Sequence, residues 1–276
     1  MDNKRDIPLM LCDSHTHFDQ YDESEIPQIL DRAVQSGVNV IIAAGTTIES
    51  TKACISLSET YPMIFAGVGI HPMESHQLLD SDTSEELHNL AKSHPEVVCI
   101  SEVGLDFLPS SPDHKIQEQV FREHIRIAID LNLPIIFHSR ESHDDVLRIL
   151  KEEGAYRVGG AMHYFQGDLR TAKLAIDSGF KISLARPLTR LPELQEVVKH
   201  ISIDDIVLET DCFPQPFKKY RHNWTEPRHL VDIAQTLSEL KRIDLSETAS
   251  ITTKNLRSLL KLTDSDESNS DESKDD

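Results

Sequence analysis

The chain has 276 residues, of which 38% are hydrophobic and 27% charged, a composition typical of a globular protein with a large apolar core. Its formal net charge of −19 disfavours tight non-specific binding to nucleic acid, because no broad basic surface is available to neutralise phosphates. No stretch approaches the roughly 20 apolar residues that cross a membrane, so we expect no membrane association.

The N-terminal residues 1–8 are polar and lead into a short apolar run, Leu9–Cys12. This run is too brief for the hydrophobic region of a secretory signal, so we expect a cytoplasmic protein. The four cysteines show no C-x-x-C spacing, which predicts reduced, structural thiols in a reducing compartment. They are Cys12, Cys54, Cys99 and Cys212.

Short β-type runs alternate with amphipathic stretches along the chain. Eight predicted strands lie at Leu9–Asp13, Asn39–Ala44, Ile64–Gly69, Val97–Val103, Pro134–His138, Gly159–His163, Phe180–Leu184 and Ile206–Thr210. Most of them are continuous apolar runs, which is typical of parallel strands covered on both faces.

Helices are predicted in the gaps between these strands. The clearest is Lys115–Leu131, where Phe121, Ile125 and Ala128 repeat at helical spacing and fall on one face. The others are Glu25–Gln35, Ser50–Glu59, Thr83–Ser93, His143–Glu152, Asp168–Asp177, Pro192–Lys199, Glu226–Lys241 and Ser246–Leu260.

Strict alternation of strand and helix predicts an α/β protein built from parallel βαβ units. Eight units close naturally into a single (β/α)₈ barrel, a TIM barrel, which we place at residues 1–262. A doubly wound open sheet is the alternative, but no G-x-G-x-x-G follows the first strand. Residues 263–276 hold seven acidic residues, one lysine and no apolar residue, and we predict a disordered acidic tail there.

Metal-binding residue types lie at or just past the ends of several predicted strands. In a (β/α)₈ barrel the C-terminal ends of the strands meet at one face and build the active site there. A lone histidine is more often a packing or surface residue, but this set together predicts a metal site. The candidate ligands are His15, His17, Glu102, His138, His163 and Asp211.

The residue types suggest individual roles. His15 and His17 lie two apart in an extended segment, so both imidazoles can reach one ion. Glu102 needs a cation or a partner at a buried strand end, and we expect it to bridge metal ions rather than form an ordinary ion pair. Asp211 is predicted to bind metal and to accept a proton from water, whose pKa a bound metal lowers to about 7. We expect Glu209 to support the ligands, and Asp106 to do so or to shape its loop.

His71 and Arg140 are candidate substrate-binding residues. His71 can serve as a donor to a substrate phosphate or as a ligand, and we place it outside the metal sphere. Arg140 has a planar guanidinium that can grip a phosphate; the alternative is a salt bridge with Glu141 or an ordinary surface charge. Tyr220 and Trp224 can stack on a base or merely cap the barrel.

The remaining histidines have no strand-end placement, and we interpret them as solvated or packing residues. They are His76, His88, His94, His114, His124, His143, His200, His222 and His229.

Taken in order, these residues resemble the TatD family of metal-dependent nucleases, within the amidohydrolase superfamily. The resemblance spans about Leu9 to Leu260. Its motifs are D-x-H-x-H at Asp13–His17, G-x-H-P at Gly69–Pro72, E-x-G-L-D at Glu102–Asp106, H-x-R at His138–Arg140, H-x-F-x-G at His163–Gly167 and E-T-D at Glu209–Asp211. The chain departs from the family at Met73, where many members have a second histidine. It also departs at 221–227, which is longer than the usual R-N-x-P, and in its acidic tail.

The resemblance implies a catalytic site with two divalent metal ions, Mg²⁺, Mn²⁺ or Zn²⁺. One ion would be bound by His15, His17 and Asp211 and the other by His138 and His163, with Glu102 bridging. The implied reaction is hydrolysis of phosphodiester bonds in DNA, often exonucleolytic on single strands. DNA would then bind through the metals, and the sequence indicates no obligate protein partner.

Two other functions are compatible with parts of this pattern. An amide or lactone hydrolase of the same superfamily is the alternative enzyme, but many of those bridge their metals with a carboxylated lysine on strand four. The segment Val97–Asp106 contains Glu102 and no lysine. A metal-binding protein without catalysis is the other alternative, and the retention of every ligand type, Asp211 included, disfavours it.

Overall fold

The computed structural model describes residues 9–262, in which parallel strands alternate with helices. The strands are β1 (Leu11–Thr16), β2 (Val38–Ala44), β3 (Ile64–Val68), β4 (Val97–Asp106), β5 (Ile135–Arg140), β6 (Gly160–Met162), β7 (Phe180–Leu184) and β8 (Ile206–Leu208). The helices are α1 (Ile26–Gln35), α2 (Ile48–Thr60), α3 (Ser81–Ser93), α4 (His114–Leu131), α5 (His143–Glu153), α6 (Leu169–Asp177), α7 (Pro192–Lys199), α8 (Leu230–Lys241) and α9 (Leu245–Leu260). The predicted acidic tail, 263–276, lies outside the described residues.

The strands form one parallel sheet in sequence order, from β1 to β8. Its two edges then meet: the backbone N–H of His17 donates to the carbonyl of Cys212 at 2.9 Å, and that of Asp211 donates to the carbonyl of His15 at 3.0 Å. The Asp13 carboxylate adds a side-chain link between β1 and Thr210, which follows β8. The predicted (β/α)₈ barrel is therefore confirmed.

Asp13 joins β1 to the segment that follows β8. Its carboxylate is fully buried and accepts hydrogen bonds from both the backbone N–H and the hydroxyl of Thr210, at 2.9 and 2.5 Å. Burial raises the pKa of Asp13 to about 8, with the two bonds from Thr210 opposing that rise. The first residue of the D-x-H-x-H motif therefore holds β1 against the segment after β8, where the barrel closes, while the two histidines face the site.

Helices begin and end at residues whose chemistry suits those positions. The side chain of Asp113 accepts from the backbone N–H of Ile116 at the start of α4, and Asp168 accepts from that of Thr171 at the start of α6. Gly154 follows α5 with φ +74°, a left-handed conformation that favours glycine. These local signals are why most predicted helices lie where the structure has them.

The packing inside the barrel explains the direction in which the side chains of the site point. One cluster of buried side chains holds Ile136 of β5, Ala161 of β6 and Val207 next to β8's end, together with Leu256 and Leu260 of α9. Successive residues of a strand point to opposite faces, so positions two residues further on point to the same side. Those positions are His138, His163 and Glu209. The apolar interior thus continues into the polar site.

Two strand boundaries differ from the prediction in ways that affect the site. β1 runs on to Thr16, so His15 lies within a strand rather than beyond one. β4 continues past the predicted end at Val103 to Asp106, which pairs with Arg140 of β5. The extra pairing depends on β5, a partner distant in sequence that local composition does not reveal.

Within residues 9–262, none of the helices is both long and apolar enough to span a bilayer.

We predict that Gly104→Ala lowers the free energy of unfolding by at least about 3 kcal/mol. Gly104 has φ +138°, and a Cβ there would lie 2.1 Å from the carbonyl oxygen of His138, which is held in the sheet. Gly179→Ala is the control, since Gly179 also has a positive φ, of +89°, but the nearest atom to its Cβ would be 3.9 Å away. That variant should lose about 1–2 kcal/mol. Equal losses in urea unfolding would contradict the close contact.

Candidate metal centre

The structure brings all six predicted ligands to the mouth of the barrel, around Glu102. The Glu102 side chain is 3% exposed, and its two oxygens lie 3.0–3.5 Å from a ring nitrogen of each of five imidazoles. These belong to His15, His17, His71, His138 and His163. Asp211 joins from the β8 side, with Oδ1 3.3 Å from Nε2 of His17.

The two oxygens of Glu102 face different histidines. Oε2 lies 3.3 Å from Nε2 of His15 and 3.5 Å from Nε2 of His17. Oε1 lies 3.0 Å from Nδ1 of His138 and 3.5 Å from Nε2 of His163. The two oxygens therefore approach different imidazoles, although the rings of His15 and His163 stack on each other with centroids 3.7 Å apart.

The donor set fits a metal ion. Both ring nitrogens of His15 and Nδ1 of His17 are buried and make no hydrogen bond within the described part of the chain. Nε2 of His15 is close to Glu102, but not in hydrogen-bond geometry. Buried nitrogens without partners are costly, and a cation that accepts their lone pairs would remove that cost. Ligand atoms of His15, His17 and Asp211 all lie within 4.8 Å of one another, and mixed nitrogen and oxygen ligands suit Zn²⁺ or Mn²⁺.

Two carboxylates orient the histidines of β5 and β6. Nε2 of His138 lies 3.0 Å from Oδ2 of Asp106, and Nδ1 of His163 lies 3.0 Å from Oε2 of Glu209. Each imidazole thus donates its N–H away from the centre and turns its other nitrogen toward Glu102. Carboxylates that hold a metal-binding histidine in this way fix its tautomer and raise its basicity. Both acids are completely buried.

His71 differs from His138 and His163, because its ring nitrogen on the side away from Glu102 accepts a hydrogen bond instead of donating one. Its Nδ1 accepts a hydrogen bond from the backbone N–H of Met73 at 3.1 Å, which places the ring proton on Nε2 in the neutral form. That Nε2 lies 3.3 Å from Oε1 of Glu102. A protonated nitrogen donates and does not bind metal, so in this geometry Nε2–H of His71 lies toward Glu102. Its donation to a substrate phosphate stays a prediction.

The Arg140 guanidinium forms an ion pair with Asp106. Its Nε lies 2.8 Å from Oδ2 of Asp106, and its Nη2 contacts the same oxygen. The alternative salt bridge with Glu141 is replaced by one with Asp106, because β4 extends far enough to bring Asp106 opposite Arg140. The Arg140 side chain is 48% exposed, so part of the guanidinium remains accessible from the cavity. Its binding of substrate stays a prediction.

Electrostatics favour charge on several of these groups. Burial opposes ionisation of Glu102, but the surrounding imidazoles hold its pKa well below its usual range. Burial likewise disfavours charged imidazoles, yet neighbouring carboxylates raise the pKa of His17 and His138, and raise that of His163 to about 10. For His15, burial dominates and lowers the pKa.

Sequence reasoning gave no site role to several residues that line the cavity, which has a volume of about 580 Å³; two of them are Tyr164 and His143. Tyr164 lines it directly after His163, and its backbone N–H donates to Glu209. His143 lines it too, with Nδ1 2.7 Å from Oγ of Ser139, a location at the site that the sequence analysis did not assign to it. Its position at the start of α5, just after β5, was an available signal.

The backbone is strained beside the candidate ligands. Glu141, Tyr164 and Asp211 have φ values of +55°, +48° and +49°, which side chains with a Cβ rarely adopt. Each follows a strand that ends at the site. Such conformations persist only where the surroundings hold them, and they concentrate at functional sites.

Similarity to known proteins agrees with the geometry. A sequence profile for TatD-related DNases matches residues 12–261. The uncharacterised metal-dependent hydrolase YabD of Bacillus subtilis is 36% identical over 262 residues, covering 92% of this chain and all of that protein. The crystal structure of the TatD homologue YjjV from Escherichia coli has a TM-score of 0.83 at 28% identity and covers 92% and 98% of the two chains. A TatD-family hydrolase from Entamoeba histolytica has a TM-score of 0.80 at 25% identity, covering 91% and 98%.

We predict that Asp106→Asn weakens metal binding about 10–100-fold, because the amide cannot hold His138 as the carboxylate does. Metal affinity measured by competition with a chelating dye checks this. Asp113→Asn is the matched control: it removes a carboxylate from the same loop region, and asparagine caps a helix as well as aspartate. An unchanged affinity in Asp106→Asn would show that Asp106 does not orient the ligand.

We also predict that metal binding at pH 7 releases protons. His163 has a pKa of about 10 without metal, so it is protonated at pH 7 and must lose that proton to offer Nε2. Apparent metal affinity should therefore rise with pH up to about 10. Calorimetric titration with Zn²⁺ in buffers of different ionisation enthalpy measures the released protons. Glu209→Gln should release fewer, and proton uptake by the wild type would contradict the electrostatics.

Proposed function

Because the chain belongs to the family of TatD-related DNases and is a metal-dependent hydrolase, we propose that it hydrolyses phosphodiester bonds of DNA, as an exonuclease on single strands. Two divalent ions, Mg²⁺, Mn²⁺ or Zn²⁺, are its proposed cofactors. The observation that carries the proposal is the division of the Glu102 oxygens between two sets of histidines. A carboxylate with one oxygen on each side suits a bridge between two ions.

The proposed ligands follow from that division. His15, His17 and Asp211 would hold the ion on the Oε2 side of Glu102, and their ligand atoms lie within 4.8 Å of one another. His138 and His163 would hold the ion on the Oε1 side, each with its other nitrogen engaged by a carboxylate. When bound, two such ions supply positive charge to the attacking and leaving oxygens of a phosphodiester and lower the pKa of a water.

The chain's own residues would complete the reaction. Asp211 is 20% exposed at the cavity, and although burial opposes its ionisation, the nearby histidines keep its pKa low. It is therefore an ionised carboxylate at the mouth that can accept the proton of the attacking water. Nε2–H of His71 and the exposed side of Arg140 face the same cavity as donors to the phosphate.

The proposed place of action is the cytoplasm, with DNA as the partner. All four cysteines are buried thiols and none of them forms a disulfide, which suits a reducing compartment. DNA would be held at the cavity through the ions and through His71 and Arg140, with no protein partner needed to complete the site.

We predict that Asp211→Asn reduces kcat on single-stranded DNA about 10²–10⁴-fold, because the amide cannot accept the proton. End-labelled single- and double-stranded DNA with Mn²⁺ or Mg²⁺, sampled over time, measures the rate and the direction of digestion. Asp177→Asn, an exposed acid at the end of α6, is the control and should keep the full rate.

A second variant tests the bridging role. Glu102→Ala should lose bound metal and activity together, because it removes oxygens from both sides of the centre. If the wild type shortened no DNA with either ion but opened amides or lactones, the nuclease proposal would be wrong and the alternative hydrolase would replace it.

A further inference from the structure

Two loops at the barrel mouth have a charge opposite to that of the chain. Residues 185–192 follow β7, and residues 213–225 lie between β8 and α8. Together they contain five cationic residues and no Asp or Glu, on a chain whose formal net charge is −19. The five are Arg186, Arg190, Lys218, Lys219 and Arg221.

Four of these cations lack an acidic partner. Arg221 is neutralised by Glu25 and Glu226, each at 2.8 Å. The other four form no ion pair with any carboxylate of residues 9–262; Arg186 instead donates to the hydroxyl of Thr225 at 3.2 Å. Burial, together with the charges of Arg186 and Arg190, lowers the pKa of Lys218, so these like charges lie close enough to repel. An anion placed among them would relieve the repulsion.

Exposed aromatic side chains lie among the cations. Phe217 is 73% exposed and Tyr220 49%, and within the described range Phe217 is the most exposed large hydrophobic side chain. Nζ of Lys219 lies 5.0 Å from the centre of the Tyr220 ring. His222 stacks on Tyr220 with ring centroids 5.4 Å apart, and Phe213 lies 6.5 Å from Phe217, so the aromatic side chains form a group rather than isolated exposed rings. Exposed aromatic rings beside cations are the chemistry that binds a single nucleic-acid strand.

This surface adjoins the candidate metal centre. The second loop begins just after Asp211, and Tyr164, which lines the cavity, lies within electrostatic reach of Arg186 and Arg190. Arg186 contacts Thr225, so the two loops touch each other. A strand with one end at the metals would therefore pass over these residues as it leaves the cavity.

We propose that Phe217, Lys218 and Tyr220, with Arg186 and Arg190, form a binding surface for the single strand that leads out of the metal centre. The bases stack on the two rings and the phosphates lie against the cations. This proposal rests on the proposed function, from which it takes DNA as the substrate. It narrows the substrate to single strands, because bases paired inside a duplex cannot stack on protein rings. Single strands are therefore selected before the bond is cut.

Binding without cleavage tests the surface. Full-length protein in EDTA is titrated into a labelled oligothymidylate of 20 nucleotides, and fluorescence anisotropy gives Kd. The Phe217→Ala, Tyr220→Ala double variant should bind at least about tenfold more weakly. Lys218→Ala with Arg190→Ala should flatten the dependence of log Kd on log salt concentration by about 0.7 for each lost phosphate contact. Tyr156→Ala with Lys199→Ala, on side chains at the opposite end of the barrel, is the matched control and should bind like the wild type.

Cleavage of the same oligonucleotide by the wild type with Mn²⁺ is measured in parallel, which separates the two proposals. Binding that depends on the two rings, without wild-type cleavage, would keep the surface and overturn the nuclease. Cleavage with unchanged binding in the double variant would overturn the surface and leave the nuclease. Equal affinity and equal ring dependence for a duplex would also overturn the surface. Unchanged oligonucleotide binding with a loss of self-association in the double variant would assign the rings to a second copy of the chain.

Discussion

The burial of one carboxylate among five imidazoles is the constraint on which the rest of the site depends. Glu102 is 3% exposed, and a charge so far from water needs compensation from every side. The barrel supplies it because strands one, three, five and six each bring a histidine to the same interior point. A sheet with open edges would bring neighbouring strands together, but it would not surround a side chain.

The acids that orient the histidines add negative charge close to Glu102, and these like charges repel one another unless a cation is present. Asp106 and Glu209 are completely buried and orient His138 and His163. With Glu102 and Asp211 they concentrate negative charge around the imidazoles, which is why the carboxylates raise the pKa of His163 to about 10. Protons compensate this charge when metal is absent, and divalent ions would compensate it when bound. The same groups thus account for metal affinity and for its dependence on pH.

An acidic chain and an anionic substrate would repel each other without local correction. The net charge of −19 argues against a general nucleic-acid surface, and the structure agrees, because acidic residues are spread over most helices. Around the mouth the distribution changes: Arg140 lies at the cavity, and residues 185–192 and 213–225 contain cations and no Asp or Glu. Charge is therefore arranged by location, with acids where metals would bind and bases where a strand would leave.

The sequence by itself determined the order of strands and helices, the barrel, and the residues that meet at its mouth. These depend on local properties: apolar runs, the helical period, capping residues and the residue types that end each strand. Only the tertiary structure decided that Asp106 holds both His138 and Arg140, that His143 lines the cavity, and that the Glu102 oxygens face separate histidines. Each of these depends on how far a strand pairs with a partner distant in sequence, and on which way a buried ring turns. Such relations arise from packing between elements, so no local pattern encodes them.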